Sequence, residues 1–165
     1  MGTPEGVGLV RDRFQVLPDD VVVRTSGESA WCDAALVFRE GAPVALLYAS
    51  ASRSGEPVVF VKGPPTRTVS WLRPCDVGPF ASEPPSAFEI AGVTYQRSRR
   101  VPVAVERLGD DALPCAEEGI LAEYTAGDAR RLVVFGARGR VALAFVGTEL
   151  LAGTYDVLPA GDERR

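Results

Sequence analysis

The chain has no histidine, and that absence removes more chemistry than any other feature of its 165 residues. It takes away the commonest general base, the Ser–His and Cys–His nucleophile pairs, and the commonest metal ligand. Lysine is nearly as scarce: Lys62 is the only one among 18 basic residues, and the rest are arginine. There are three cysteines, Cys32, Cys75 and Cys115. An odd number without short, regular spacing suits neither a disulfide framework nor a zinc site. No apolar run approaches the ~20 residues of a membrane span. The opening MGTPEGVG has no basic region and no apolar stretch, so no secretory leader is expected. Gly6 stands where a myristoylation signal carries Ser or Thr. The expectation is a cytoplasmic protein with reduced thiols.

Positive charge is also in deficit. The net charge is −4 and the isoelectric point about 5.0. Nucleic acid and anionic membrane both select a positive field, so neither is expected as the main partner. Apolar residues make up 46% and charged residues 24%, ordinary globular usage. A chain of this length buries roughly 70% of its unfolded surface and folds without metal or disulfide.

What is present is dense punctuation, with 17 Gly and 13 Pro. Between the breaks lie short runs rich in Val, Leu, Phe and Tyr. In the first half these are RFQVLP, DVVVRT, DAALVFRE, PVALLYAS, PVVFVKG and TVSWLRP. In the second they are GVTYQR, VPVAVERL, GILAEYTA, RRLVVFGA, RVALAFVG and TYDVLP. Each is about one strand long, and EGAP, RSGEP, AGDA and GARGR between them read as hairpin turns. SAWCDAALVF and CAEEGILAEY read either as one or two helical turns or as a loop and a strand. Gly119 weakens the helical reading of the second. Residues 73–88 hold four prolines and few strand formers, and read as an ordered linker.

The two halves share an order of landmarks. Phe14-Gln15 matches Tyr95-Gln96, Val21 and Val23 match Val103 and Val105, Gly27 matches Gly109, and Cys32 matches Cys115. LVFREGAPVALLYAS resembles LAEYTAGDARRLVVFGA, and TVSWLRP resembles TYDVLP. The expected fold is all-β and mainly antiparallel, with little helix. It consists of two pseudo-repeated small β-barrel or sandwich units packed together. The boundaries are a tail at 1–12, a first half at 13–74, a Pro-rich linker at 75–87, a second half at 88–159 and a tail at 160–165.

Landmarks along the whole chain carry a resemblance. Trp31-x-Asp33 leads to Leu36 and Phe38, then Trp71-Leu72, then Pro84-Pro85 and Gly92-Val93-x-Tyr95. Gly109, Leu113-Pro114, Glu118-Gly119, Tyr124 and Leu158-Pro159 follow. This order resembles the bacterial domain of unknown function 4178 family, over roughly residues 13 to 159, with a departure at Ala34, where an aromatic is more usual. The resemblance implies a β-rich fold and company with genes for envelope stress and polyamine-transferring enzymes. It implies no catalytic residue.

Four groups of residues are candidates for a site. Cys32 and Cys115, equivalent if the halves repeat, form a possible thiol pair. Their neighbours Asp33 and Glu117-Glu118 are anionic and disfavour a thiolate, so two small buried side chains are the competing reading. Glu117 and Glu118, with Asp110, Asp111 and Glu123, make an acidic run that reads as acid–base carboxylates, oxygen ligands or a solvated loop. Trp31, Trp71, Tyr95 and Tyr124 are aromatics of the kind that anchor interfaces or cores. Trp71 alternates with Val69 and should point inward, whereas Trp31, beside a turn, is the better exposed anchor. Arg97 and Arg99, two apart in a strand, should share one face and form an anion site or a charged strand edge. GARGR lacks the Gly-Lys-Ser/Thr of a phosphate loop.

With no catalytic constellation, the first reading is a non-enzymatic binding or scaffold module with a protein partner. The partner would dock on a strand edge or in the cleft between the halves. No cofactor and no metal are expected. The alternative is an enzyme or thiol-redox protein with its site at that cleft.

Overall fold

The computed structural model describes residues 16, 20–53, 55–63, 67–80, 83–138 and 142–159. In chain order the strands are β1 (Val21–Arg24), β2 (Ser29–Trp31), β3 (Ala35–Glu40), β4 (Ala42–Tyr48), β5 (Val58–Lys62) and β6 (Thr68–Pro74). They continue as β7 (Ala87–Ile90), β8 (Val93–Leu108), β9 (Glu118–Ala126), β10 (Arg130–Gly136), β11 (Leu143–Glu149) and β12 (Tyr155–Leu158). Among the described residues the only helix is one 3-10 turn, Ala51–Arg53. Both segments open to a helical reading are strands, β2–β3 and β9. At Gly119 an added Cβ would lie 2.5 Å from the Gly136 carbonyl oxygen, so the close β9–β10 approach needs that glycine. RFQVLP, apart from Val16, lies outside the described residues, as does part of GARGR.

Eight strands close into one antiparallel barrel in the order β3-β4-β5-β6-β11-β10-β9-β8, with β8 returning to β3. β7 adds to the first part of β8. The first half of the chain supplies the meander β3 to β6, and the second supplies β8 to β11. The all-β, antiparallel expectation holds, but the halves share one barrel and do not close separately. Nor does the topology reproduce the sequence equivalences. The segment matched to β6 becomes β12, which leaves the barrel, while the partner of β6 is β11.

Three apolar clusters hold the fold together. The inner one fills the barrel and draws on all eight strands, with Leu36, Phe38, Leu47, Phe60, Leu72 and Phe135 among its largest members. One end of this interior is stoppered by Leu113, Cys115 and Ala116 from the loop after β8. The second cluster lies outside β3–β6. There the separate sheet β12-β1-β2 lays Val22, Ala30 and Cys32 over Leu46, Tyr48, Val59 and Trp71. The third lies outside β9–β11. There the Pro-rich segment brings Cys75, Val77, Phe80 and Phe88 against Tyr124, Leu132 and Val134. That segment is therefore a cover for the second half and not a spacer. Strands covered on both faces need apolar side chains at successive positions, hence ALVF, ALLY and VVFV.

GVTYQR and VPVAVERL, expected as two strands, are one strand of 16 residues. Pro102 does not interrupt it. β8 pairs with β7 at its start and β3 at its end, and between them only β9 lies alongside. Proline is tolerated where one edge of a strand carries no ladder.

Candidate functional site

The end of the barrel opposite the stopper is polar, and strand periodicity makes it so. Side chains two apart share a face. On β5 the inward series Val58, Phe60 continues to Lys62; on β6, Leu72 gives way to Ser70 and Thr68. On β9, Leu121 is followed by Glu123 and Thr125; on β10, Phe135 and Val133 are followed by Arg131; on β11, Phe145 leads to Glu149. Five strands change from apolar to polar at a similar depth. The cross-strand pairs Lys62–Thr68, Ser70–Glu149, Arg131–Thr125 and Arg99–Glu123 put these groups side by side. They enclose a cavity of about 360 Å³ whose floor includes Phe60 and Val133.

Charge is arranged unevenly around it. The Glu123 carboxylate, with its side chain 13% exposed, lies 3.3 Å from the Arg99 guanidinium and 3.7 Å from Lys62 Nζ. The Arg131 guanidinium lies 3.3 Å from Glu149 and donates to the carbonyl oxygens of Asp128 and Arg130. Each carboxylate thus has its own arginine. Lys62 is left with a contact too long for a good hydrogen bond. Ser70 is 4% exposed as a residue and lines the cavity; its hydroxyl makes no hydrogen bond among the described residues and is not sealed off, since every sealed side-chain N or O among them has a partner.

Of the residues singled out in the sequence, only Glu123 and Tyr124 line the cavity, and Arg99 reaches it through its ion pair with Glu123. Arg97 and Arg99 do not share a face, because the β8–β9 register shifts between them. Arg99 turns to Glu123, while Arg97 donates to the Pro84 carbonyl oxygen on the outer side. A bulge of this kind inverts the alternation beyond it. Trp71, Tyr95 and Tyr124 are buried. Arg24 stacks over Trp71 at 5.4 Å, and the Tyr124 hydroxyl donates to the Pro85 carbonyl oxygen at 2.6 Å. Burial pushes the Tyr124 phenol up to about 12, against a smaller opposing pull from Arg97. Glu117 and Glu118 are exposed near the stoppered end. Among the described residues no three His, Cys, Asp or Glu side chains gather as a metal site would require.

The cysteines occupy different environments. Cys32 lies in the outer core of the first half and Cys115 in the barrel stopper, and no disulfide joins them. Burial first, and then the carboxylates of Asp20 and Asp33, push the Cys32 thiol well above its ordinary range. Burial, with Asp76, pushes Cys75 up to about 11. Both shifts disfavour a reactive thiolate.

Trp31 is 48% exposed. Arg53 sits over its ring at 5.6 Å and pairs with Asp33 at 3.2 Å. Across β12-β1-β2, Trp31, Val21 and Leu158 are in register.

The fold and the mouth define a closed eight-stranded antiparallel barrel with one apolar and one polar end. The chain matches no family model, no curated protein and no solved structure. No helix among the described residues is long and apolar enough to cross a membrane. Sequence reasoning missed Lys62, Ser70, Arg131 and Glu149 as site residues. The signal was available on each strand, as an inward apolar series ending in a polar residue, but it points to one place only after the barrel is closed.

Proposed function

We propose that this protein is a non-enzymatic binding module and that its ligand site is the polar mouth of the barrel. One observation carries the reading: the Ser70 hydroxyl and the ammonium of the single lysine, Lys62, border a cavity without good hydrogen-bond partners of their own. Both groups are donors that open onto the cavity and so can meet a polar ligand there. Eight strands make a barrel just wide enough to be filled by side chains or to hold one small molecule. Here the lower part is filled and the upper part is not. The halves are not separate units with a cleft between them; the mouth is one end of the barrel they share. The proposal keeps the cytoplasmic location drawn from composition and the likeness to the domain of unknown function 4178 family.

Amide NMR on the labelled protein, titrated with pooled small polar metabolites, tests it. The expected shifts cluster on residues 60–62, 68–70, 123–125, 131–133 and 149. Shifts confined to the outer barrel wall would refute the site.

The exposed Trp31 and Leu158, on the two strands that flank β1, favour a second reading, a protein partner on β12-β1-β2. Exposed tryptophans are typical anchors of such contacts. Capture of one partner by the native chain and not by Trp31→Ala would establish it.

A further inference from the structure

The mouth also states the chemical class of its ligand, an inference that rests on the binding reading above. Lys62 and Arg131 line the cavity with Glu123 and Glu149, and Arg99 pairs with Glu123 from outside the lining, so the ion-paired set as a whole carries one positive charge in excess. This excess stands in a chain whose net charge is −4. Arg131 is engaged by Glu149 and by the Asp128 and Arg130 carbonyl oxygens, and Arg99, held to Glu123, is not part of the cavity lining. The available donors are the Lys62 ammonium, with three N–H groups, and the Ser70 hydroxyl. Lys62 pairs across the strands with Thr68, so Ser70 is its diagonal neighbour on the same face. Such neighbours lie about 7–8 Å apart, within reach of a long side chain.

We propose that the mouth binds a small, hydroxylated organic monocarboxylate. One carboxylate oxygen takes a hydrogen bond from Lys62 and the other from Ser70. The ligand's charge balances the single excess positive charge. A phosphate, at about −1.5 to −2 and with three acceptor oxygens, overfills both the charge and the donors. An amine meets carboxylates that are already neutralised and an ammonium that repels it. Thr68 and Thr125 line the wall and offer further hydroxyls to a polar body, while Phe60 and Val133 lie under its apolar carbons. A cavity of about 360 Å³ suits a small metabolite and stands near the lower limit of known ligand pockets, about 300 Å³.

Because Lys62 is the only lysine, a sample labelled at lysine carbon gives one side-chain ε signal, a direct reporter of the site. The probes are lactate and gluconate, with glucitol as the neutral analogue of gluconate, and phosphate and ethanolamine as the competing charge classes. The expected result is a shift of the Lys62 signal and the Ser70 amide with lactate or gluconate. Glucitol, phosphate and ethanolamine should bind at least about tenfold more weakly, as loss of a charge-assisted hydrogen bond implies. Lys62→Met and Lys62→Gln should each weaken the carboxylate about tenfold, Ser70→Ala by less, and Arg100→Met, outside the mouth, should leave it unchanged. Equal binding of glucitol and gluconate, or preference for phosphate or ethanolamine, would overturn the carboxylate assignment while leaving the mouth a ligand site. If none of the five probes moves the Lys62 signal at millimolar concentration, the binding reading falls with it. The comparison of gluconate with glucitol uses the native chain and stands even if a variant does not fold.

Discussion

Single side chains in this protein carry costs that only their neighbours explain. Gly147 on β11 is opposite Leu72 on β6, and a Cβ there would collide with the Trp71 carbonyl oxygen. The β6–β11 ladder is one of the two seams that close the barrel. Gly147→Ala is therefore expected to cost about 3 kcal/mol or more, read as a fall in the urea midpoint with unchanged slope. Tyr124 is the other sensitive residue. Its hydroxyl fastens the Pro85 carbonyl, and Tyr124→Phe should cost about 1 kcal/mol. The same residue makes stability depend on alkaline pH. The folded Tyr124 phenol stays protonated up to about 12 against an ordinary 10.0, and the Cys75 thiol up to about 11 against 9.0. Below the ordinary values both states are protonated and the full stability is present. As pH rises past them the unfolded chain loses protons that the folded chain keeps, so stability is lost. The melting temperature is expected to fall from about pH 9 upward. In Tyr124→Phe the decline between pH 10.0 and about 12 should be shallower. A melting series followed by circular dichroism checks both; a flat profile would contradict the buried phenol.

Elements here are stabilised by what covers them more than by their own propensity. β7 and the Pro-rich segment before it have few strand formers, yet they fold over β9–β11 through an aromatic ladder. Phe80 meets Phe88 edge-on at 5.8 Å, and Phe88 meets Tyr124 at 5.2 Å. Phe88→Ala removes the middle rung and is expected to cost about 3 kcal/mol, since Phe→Ala in a core costs about 3–5 and Phe88 is only partly buried. Hydrogen exchange would show the loss first in amides of 87–96, while those of β4 and β5 keep their protection. The strand pattern was legible in most of these elements. DVVVRT, DAALVFRE, PVALLYAS, PVVFVKG and TVSWLRP all became strands near the expected places. The fusion of GVTYQR with VPVAVERL was not legible, because a proline ends a strand unless one edge is unladdered, and edges are a property of the sheet. The opposite orientations of Arg97 and Arg99 were hidden for the same reason, since a bulge is set by pairing.

For the whole molecule the consequence of one shared barrel is cooperativity. Neither half closes without the other, because β3 needs β8 and β6 needs β11. Urea unfolding followed by tryptophan fluorescence, which reports Trp31 and Trp71, should coincide with far-ultraviolet circular dichroism. Residues 20–75 expressed alone should remain unfolded. Two separated transitions, or a folded first half, would mean that the halves are independent units after all. Composition determined much of this outcome unaided. Short apolar runs between Gly and Pro breaks can bury themselves only as sheet, and the lack of histidine removes imidazole chemistry wherever the chain goes. What the tertiary structure alone decided is the partition of each strand's two faces between an inner core and an outer cover, and with it the site. Lys62, Ser70, Glu123, Arg131 and Glu149 are scattered along 88 residues, and each follows an inward apolar series on its own strand. They converge because barrel closure brings five strand ends to one rim, and closure depends on long-range ladders that no local pattern encodes.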